Sequence, residues 1–180
     1  MSASDSFITL VTGGARAGKS TFALSLVPRE GPVTFIATAR ESDDEMRERI
    51  RRHRAERPLG WTTTEAPIEV PAAIATAPRD AVLIVDCLTL WVSNLLLAEG
   101  GEGADRSWSP DERTDALLAA LRARIRPVVV VTNEVGLGVV PPTTLARVYR
   151  DALGRVNQRV ASIARRVVLM VAGLPLELKP

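Results

Sequence analysis

The sequence predicts an α/β fold in which a mostly parallel central sheet carries helices on both faces. Two observations support this. Five short apolar runs, Phe7–Val11, Val33–Ala37, Val82–Val85, Val128–Val131 and Val167–Val171, alternate with longer segments of helical period. Each run is rich in β-branched residues and none alternates with polar ones, as expected of strands buried on both faces. A chain of 180 residues fits one domain, 1–180, and can bury a full core without disulfide or metal staples.

The first run leads directly into Gly13-Gly14-Ala15-Arg16-Ala17-Gly18-Lys19-Ser20, and a helical segment, Thr21–Leu26, follows at once. The spacing G-x-x-x-x-G-K-S between a strand and a helix is that of a phosphate-binding P-loop. The glycines let successive backbone N–H groups turn inward as an anion nest. Lys19 offers a point charge to the β- and γ-phosphates, and the Ser20 hydroxyl can ligate Mg²⁺. A bare glycine turn with a solvated lysine would need neither flank. The fold expected is therefore a P-loop NTPase of RecA-like arrangement.

Further along, Ser42-Asp43-Asp44-Glu45 reads as a capping box opening a helix, with Met46, Ile50 and His53 on one face and Arg49 and Arg57 four residues to either side of His53. The run Val82–Val85 ends in Asp86, which belongs at a strand's C-terminal edge as a direct or indirect Mg²⁺ group. Ser109-Pro110-Asp111-Glu112 reads as a second capping box, with Pro at the first helical position of a helix reaching about Arg124. From Thr144 to Arg165, apolar residues at Leu145, Val148, Tyr149, Ala152, Val156, Val160 and Ile163 mark one long amphipathic helix. Gly100 to Ser107 is a polar, glycine-containing loop, the best candidate for disorder.

Composition narrows the function. Net charge is +2 and aromatic residues are 4%, too little to argue for a nucleic-acid surface. Cys87 is the only cysteine, which excludes an intrachain disulfide and a Cys-based zinc site. The N-terminal MSASDSFITL has neither the basic nor the apolar part of a signal peptide, and no apolar run is long enough to span a bilayer, so a cytoplasmic protein is expected.

His53 is the sole histidine and lies among Arg49, Arg52, Arg54 and Arg57. A basic surface helix with an incidental imidazole would look the same. A neutral imidazole is also a nucleophile, and the surrounding guanidinium groups could hold a triphosphate and offset charge in the transition state. In a nucleotide-binding protein this suits covalent capture of a nucleotidyl group.

At this point the sequence resembles the bifunctional adenosylcobinamide kinase / adenosylcobinamide-phosphate guanylyltransferase family of cobalamin biosynthesis. The segments LVTGGARAGKS, FIATA, DDEMRERIRRHRAERP, WTTTEAP, LIVDCLTLWVSNLL, VTNEVGLGVVPPTTLARVYRDALGRVNQRVA and VVLMVAGLPLELK carry the likeness, which extends from Ile8 to Lys179. The most specific are Asn133-Glu134-Val135-Gly136 and Gly154-Arg155-Val156-Asn157-Gln158, which no generic P-loop protein needs. A short N-terminal extension and the Gly100–Ser109 loop depart from the family without touching the site residues.

The resemblance implies that His53 becomes guanylylated. It also implies GTP contacts on Gly13 to Ser20, on Ala37, Thr38 and Ala39, on Arg54, Ala55, Glu56 and Arg57, and on Glu65 and Asp86. Thr38 would then lie where ligands bind in open α/β sheets. Glu65 could accept the guanine N1–H and amino protons, or be a surface acid after a strand. The expected cofactors are GTP, ATP and Mg²⁺, with Ser20 and Asp86 as metal ligands. The expected partners are a corrinoid small molecule, no nucleic acid, no membrane span, and copies of the same chain in a homo-oligomer, by resemblance a trimer. The rival readings are a single-activity small-molecule P-loop kinase and a RecA-like ATPase module.

Overall fold

A computed structural model of the chain describes residues 8–40, 44–55, 57–100 and 109–180. Seven strands form one sheet: β1 (Ile8–Gly13), β2 (Val33–Ala37), β3 (Thr62–Glu65), β4 (Val82–Asp86), β5 (Val128–Val131), β6 (Arg166–Val171) and β7 (Leu174–Lys179). Their order is β3-β2-β4-β5-β1-β6-β7, and every pairing is parallel except β6 with β7. The helices are α1 (Lys19–Ser25), α2 (Asp44–Ala55), α3 (Val70–Thr76), α4 (Leu88–Leu95), α5 (Asp111–Arg122) and α6 (Thr144–Ile163), with a π-turn at Leu96–Gly100.

Strand side chains alternate between two cores. Ile8, Leu10, Ile36, Leu83, Val85, Val128 and Val130 pack with apolar residues of α3, α4, α5 and α6. Val11, Val33, Phe35, Val82, Ile84, Val129, Val131, Val168 and Met170 pack on the other side with Ala23 of α1 and Val27. Side chains of one strand alternate between faces, so burying both explains why these runs contain no polar alternation.

All five expected strands are present. β3 and β7 escape the pattern for different reasons. β3 is a polar TTTE edge strand paired only with β2, and β7 follows β6 through a tight turn at Ala172-Gly173, both at positive φ. The short helices α3 and α4 were also not expected; α4, Leu88–Leu95, buries Leu88, Thr89, Trp91, Val92, Asn94 and Leu95, so it has no polar face from which to read a helical period.

Two helix starts differ from expectation. α5 has Pro110 as its N-cap rather than as its first helical residue, with no side-chain cap; the Ser109 capping box does not form. Instead the Thr114 hydroxyl donates to the Pro110 carbonyl at 2.7 Å. The box at Ser42 lies outside the described residues in its first two positions, as does the stretch from 101 of the expected polar loop. α6 forms where expected but ends at Ile163 rather than Arg165, whose N–H instead donates to the Ile8 carbonyl, and the Thr143 hydroxyl caps its start by accepting from the Ala146 N–H.

Gly13 closes β1 at φ 144°, where it pairs with Met170 of β6. A Cβ there would lie 2.5 Å from the Met170 carbonyl oxygen, a backbone atom that cannot yield without moving the sheet. Gly13→Ala should therefore lower folding stability by about 2 kcal/mol or more. Denaturant unfolding of the nucleotide-free protein checks this, and an unchanged midpoint would refute it.

Candidate nucleotide site

The register of the sheet assembles the site. Glu65, Ala37, Asp86, Val131 and Val11 stand opposite one another across β3, β2, β4, β5 and β1. The chain segments that follow these residues emerge side by side at one sheet edge, the C-terminal edge where open α/β folds bind ligands.

Gly13 to Gly18 form the loop between β1 and α1. Positive φ at Gly13, Arg16 and Gly18 coils the backbone, and the Ala17 N–H donates to the Gly14 carbonyl. Gly14, Ala15 and Arg16 are exposed and Ala17, Gly18 and Ser20 half-buried. Lys19 is buried at 8% exposure, and its Nζ crosses the loop to the Gly14 carbonyl at 2.6 Å. The Gly173 N–H of the β6–β7 turn donates to the Ala17 carbonyl and braces the loop from behind.

Asp86 ends β4 as predicted. Burial pushes its carboxyl up from the ordinary aspartate value, while the Ser20 hydroxyl hydrogen bond and the charges of His53, Arg57 and Lys19 pull it down. These groups therefore share one electrostatic neighbourhood. A carboxylate joined to a hydroxyl is a hard-oxygen pair that fits Mg²⁺ carried in with nucleotide phosphates. Burial also raises the neighbouring Cys87 thiol, to about 11, which makes it an inert packing residue.

Thr38 is fully buried and locks β2 to β4. Its hydroxyl donates to the Cys87 carbonyl and accepts from the Cys87 N–H, both at 2.8 Å. Its backbone N–H donates to the Asp86 carbonyl, and the Ala66 N–H donates to Ala37. Thr38 thus fixes the turn after Asp86, while its neighbours Ala37 and Ala39 remain partly open. Asn94 of α4, which sequence reasoning missed, donates to the Thr38 and Pro67 carbonyls at 2.8 and 3.0 Å and so holds the ends of two strands.

His53 and Arg54 lie in the last turn of α2, and Ala55 ends it. Arg57 lies past that end, so it does not share the helical face of His53 as expected. Its guanidinium stacks on Phe35, 3.6 Å from the ring centroid, and donates to the Thr63 hydroxyl at 3.1 Å. Burial lowers its pKa, with Asp86 opposing and Arg54 adding to the shift. Arg54 forms an ion pair with Glu65 across the gap between α2 and β3. Both side chains are more than half exposed, so the pair orients them but adds little stability. Glu56 lies outside the described residues.

A carboxyl whose folded value is raised makes its stability contribution below its unfolded pKa and loses it as pH rises through the folded value. Asp86 therefore destabilises the nucleotide-free fold at neutral pH. Asp86→Asn should raise the melting temperature at pH 7, by an amount that shrinks as pH falls into the ordinary aspartate range. It should also shift the Mg²⁺ requirement of catalysis upward. Thermal melts across pH and a Mg²⁺ titration check both; a lower melting temperature at pH 7 would contradict the burial cost.

Comparison with known proteins gives concordant results. A sequence model of the family described as cobinamide kinase / cobinamide phosphate guanyltransferase matches residues 9–178. The bifunctional adenosylcobalamin biosynthesis protein CobU of Salmonella typhimurium is 44% identical over 179 residues, covering 94% of this chain and 98% of that protein. CobP of Pseudomonas aeruginosa is 44% identical, with 94% and 96% covered, and CobU of Escherichia coli is 40% identical, with 94% and 98% covered. Among solved structures, an ATPase from the type III secretion system of pathogenic bacteria matches with a TM-score of 0.53 at 16% identity, over 96% of this chain and 57% of that one. That likeness is one of fold, and it agrees with the RecA-like arrangement expected from the sequence. The chain belongs to the cobinamide kinase / cobinamide phosphate guanyltransferase family.

Proposed function

We propose that this protein phosphorylates adenosylcobinamide with ATP or GTP and then transfers GMP from GTP to the product, giving adenosylcobinamide-GDP. The observation that carries the reading is that the Ser20 hydroxyl bonds Asp86 and the charges of His53, Arg57 and Lys19 all act on it, at the C-terminal end of β4. A nucleophile and a P-loop that address one carboxylate can use one nucleotide site for two reactions.

In the kinase step the P-loop amides and Lys19 hold the nucleoside triphosphate while its γ-phosphoryl group passes to the side-chain hydroxyl of the corrinoid. The protein's work there is positioning and charge neutralisation. Mg²⁺ would be held by Ser20 and Asp86 and would supply charge neutralisation on the β- and γ-phosphate oxygens. In the transfer step a His53 nitrogen attacks the α-phosphorus of GTP. An N–P bond forms and the bond to pyrophosphate breaks. A phosphate oxygen of the cobinamide phosphate then attacks the same phosphorus and releases His53. Splitting one displacement into two gives ping-pong kinetics for that half-reaction.

Arg54, Arg57 and Glu65 suit the GTP side of this scheme. Glu65 can present a carboxylate to the guanine edge once Arg54 turns to phosphate. A homo-oligomer fits the edge strand β7, which exposes Leu174, Leu176 and Leu178 at 71%, 55% and 57%. Among the described residues no helix is long and apolar enough to cross a membrane.

His53→Ala should abolish covalent labelling by α-labelled GTP and leave cobinamide phosphorylation within about threefold of wild type. Label retained on the variant would reject His53 as nucleophile, and an unlabelled wild-type protein would favour a single-activity kinase. Lys19→Ala should reduce kinase kcat and kcat/KM by about 10²-fold or more, since its ammonium addresses the β- and γ-phosphates. Steady-state kinetics with saturating nucleotide tests that loss.

A further inference from the structure

Asn133-Glu134 and Asn157 belong to the most distinctive segments of the sequence, yet none of the nucleotide contacts above uses them. The structure explains why the two segments occur together. The Thr132 hydroxyl donates to Asn157 Oδ1 at 2.7 Å, and Asn157 Nδ2 donates to the Asn133 carbonyl at 3.0 Å. The Asn133 N–H donates to the Thr89 hydroxyl at 2.7 Å, and Tyr149 Oη donates to the Thr89 carbonyl at 3.2 Å. The long helix α6, which carries Tyr149 and Asn157, thus clamps the segment leaving β5.

That clamp ends on Glu134. Its N–H donates to the Gly13 carbonyl at 3.0 Å, at the first residue of the P-loop. Its Oε1 accepts the Gly136 N–H at 2.6 Å, which fixes the side chain, and a Cβ at Gly136 would lie 2.9 Å from that oxygen. No described residue donates to Oε2. β5 lies between β1, which leads into the P-loop, and β4, which ends in Asp86. A γ-phosphate reached by Lys19 would lie near this central strand, and Ser20 and Asp86 are the residues that would hold a metal beside it. Glu134 is the partly exposed carboxylate at the end of β5.

We infer that Glu134 is the base for the acceptor hydroxyl in the phosphoryl-transfer step, and that Asn157 is the positioning residue that sets its place. The inference rests on the function proposed above. The hydroxyl oxygen attacks the γ-phosphorus, forming the new O–P bond as the bond to the β,γ-bridging oxygen breaks and its electron pair leaves with the nucleoside diphosphate. The hydroxyl proton passes to Glu134 and from there to water. An alcohol is barely ionised at neutral pH, so a positioned carboxylate contributes about 10²–10⁴-fold. The guanylyl-transfer step has no such need. Its acceptor is a phosphate ester, whose attacking oxygen is already anionic. Glu134 therefore serves one of the two reactions only.

The test compares the two reactions in the same purified full-length protein. Glu134→Gln and Glu134→Ala should each lower kinase kcat by about 10²-fold or more, with the nucleotide KM within about threefold of wild type. Guanylyl transfer to ready-made cobinamide phosphate should stay within about threefold of wild type. Asn157→Ala should lower the kinase kcat selectively and add nothing further in a Glu134→Gln background, as for residues acting through one group. Kinase turnover within about threefold of wild type in either Glu134 variant overturns the assignment. So does parallel loss of both reactions in the two variants, or an independent further loss on adding Asn157→Ala. A wild-type protein that phosphorylates no cobinamide rejects the proposed function itself, a result distinct from all of these.

Discussion

Everything at the nucleotide site depends on the parallel register of the central strands. Pairing Val11 with Val131, Val131 with Asp86, Asp86 with Ala37 and Ala37 with Glu65 makes β2, β3, β4 and β5 end on one line beside Val11, from which β1 runs on to Gly13. A slip of one residue in any pair would turn that strand's side chains to the opposite face and withdraw its final residue from the site. For β1, β2, β4 and β5 the register is enforced by burial on both sides, since their apolar residues have a core to enter on either face, while the polar β3 is set by its pairing with β2. Hydrophobic packing thereby helps set the polar geometry at the sheet edge.

The site then carries the strain of its own chemistry. Asp86 is held where burial opposes its ionisation, and Ser20, His53, Arg57 and Lys19 offset part of that cost. Arg57 itself is partly desolvated against Phe35. The charge of the basic final turn of α2 is thereby felt at Asp86, and Arg54 pairs with Glu65 of β3. The polar brackets around the site, Thr38 on Cys87 and Asn94 on Thr38 and Pro67, convert a loop edge into a rigid one.

Much of this was legible in the sequence. The five apolar strands, the P-loop, the acid ending β4 and the long helix α6 each follow from local patterns that tertiary packing reinforces. The rest had no local signal. β3 is polar and short, α4 is buried nearly all round, and Ser109 fails as a cap because the helix begins one residue later, after Pro110. Arg57 was placed on the helix by spacing, but the chain leaves the helix at Ala55 and brings the guanidinium back onto a strand residue.

By itself the sequence determined the types of chemistry available: a phosphate-binding loop, a carboxylate after an apolar strand, and one imidazole among arginines. Those follow from residue identity and short spacing, which local backbone geometry translates directly. Only the tertiary structure decided which groups meet. His53 and Asp86 are 33 residues apart, and Asn133 and Asn157 are 24 apart. No periodicity encodes such encounters, because they are fixed by strand order and by which helix face covers which strand end. The distinctive segments NEVG and GRVNQ were visible as words in the sequence, and their pairing became physical only when α6 was seen to hold the end of β5.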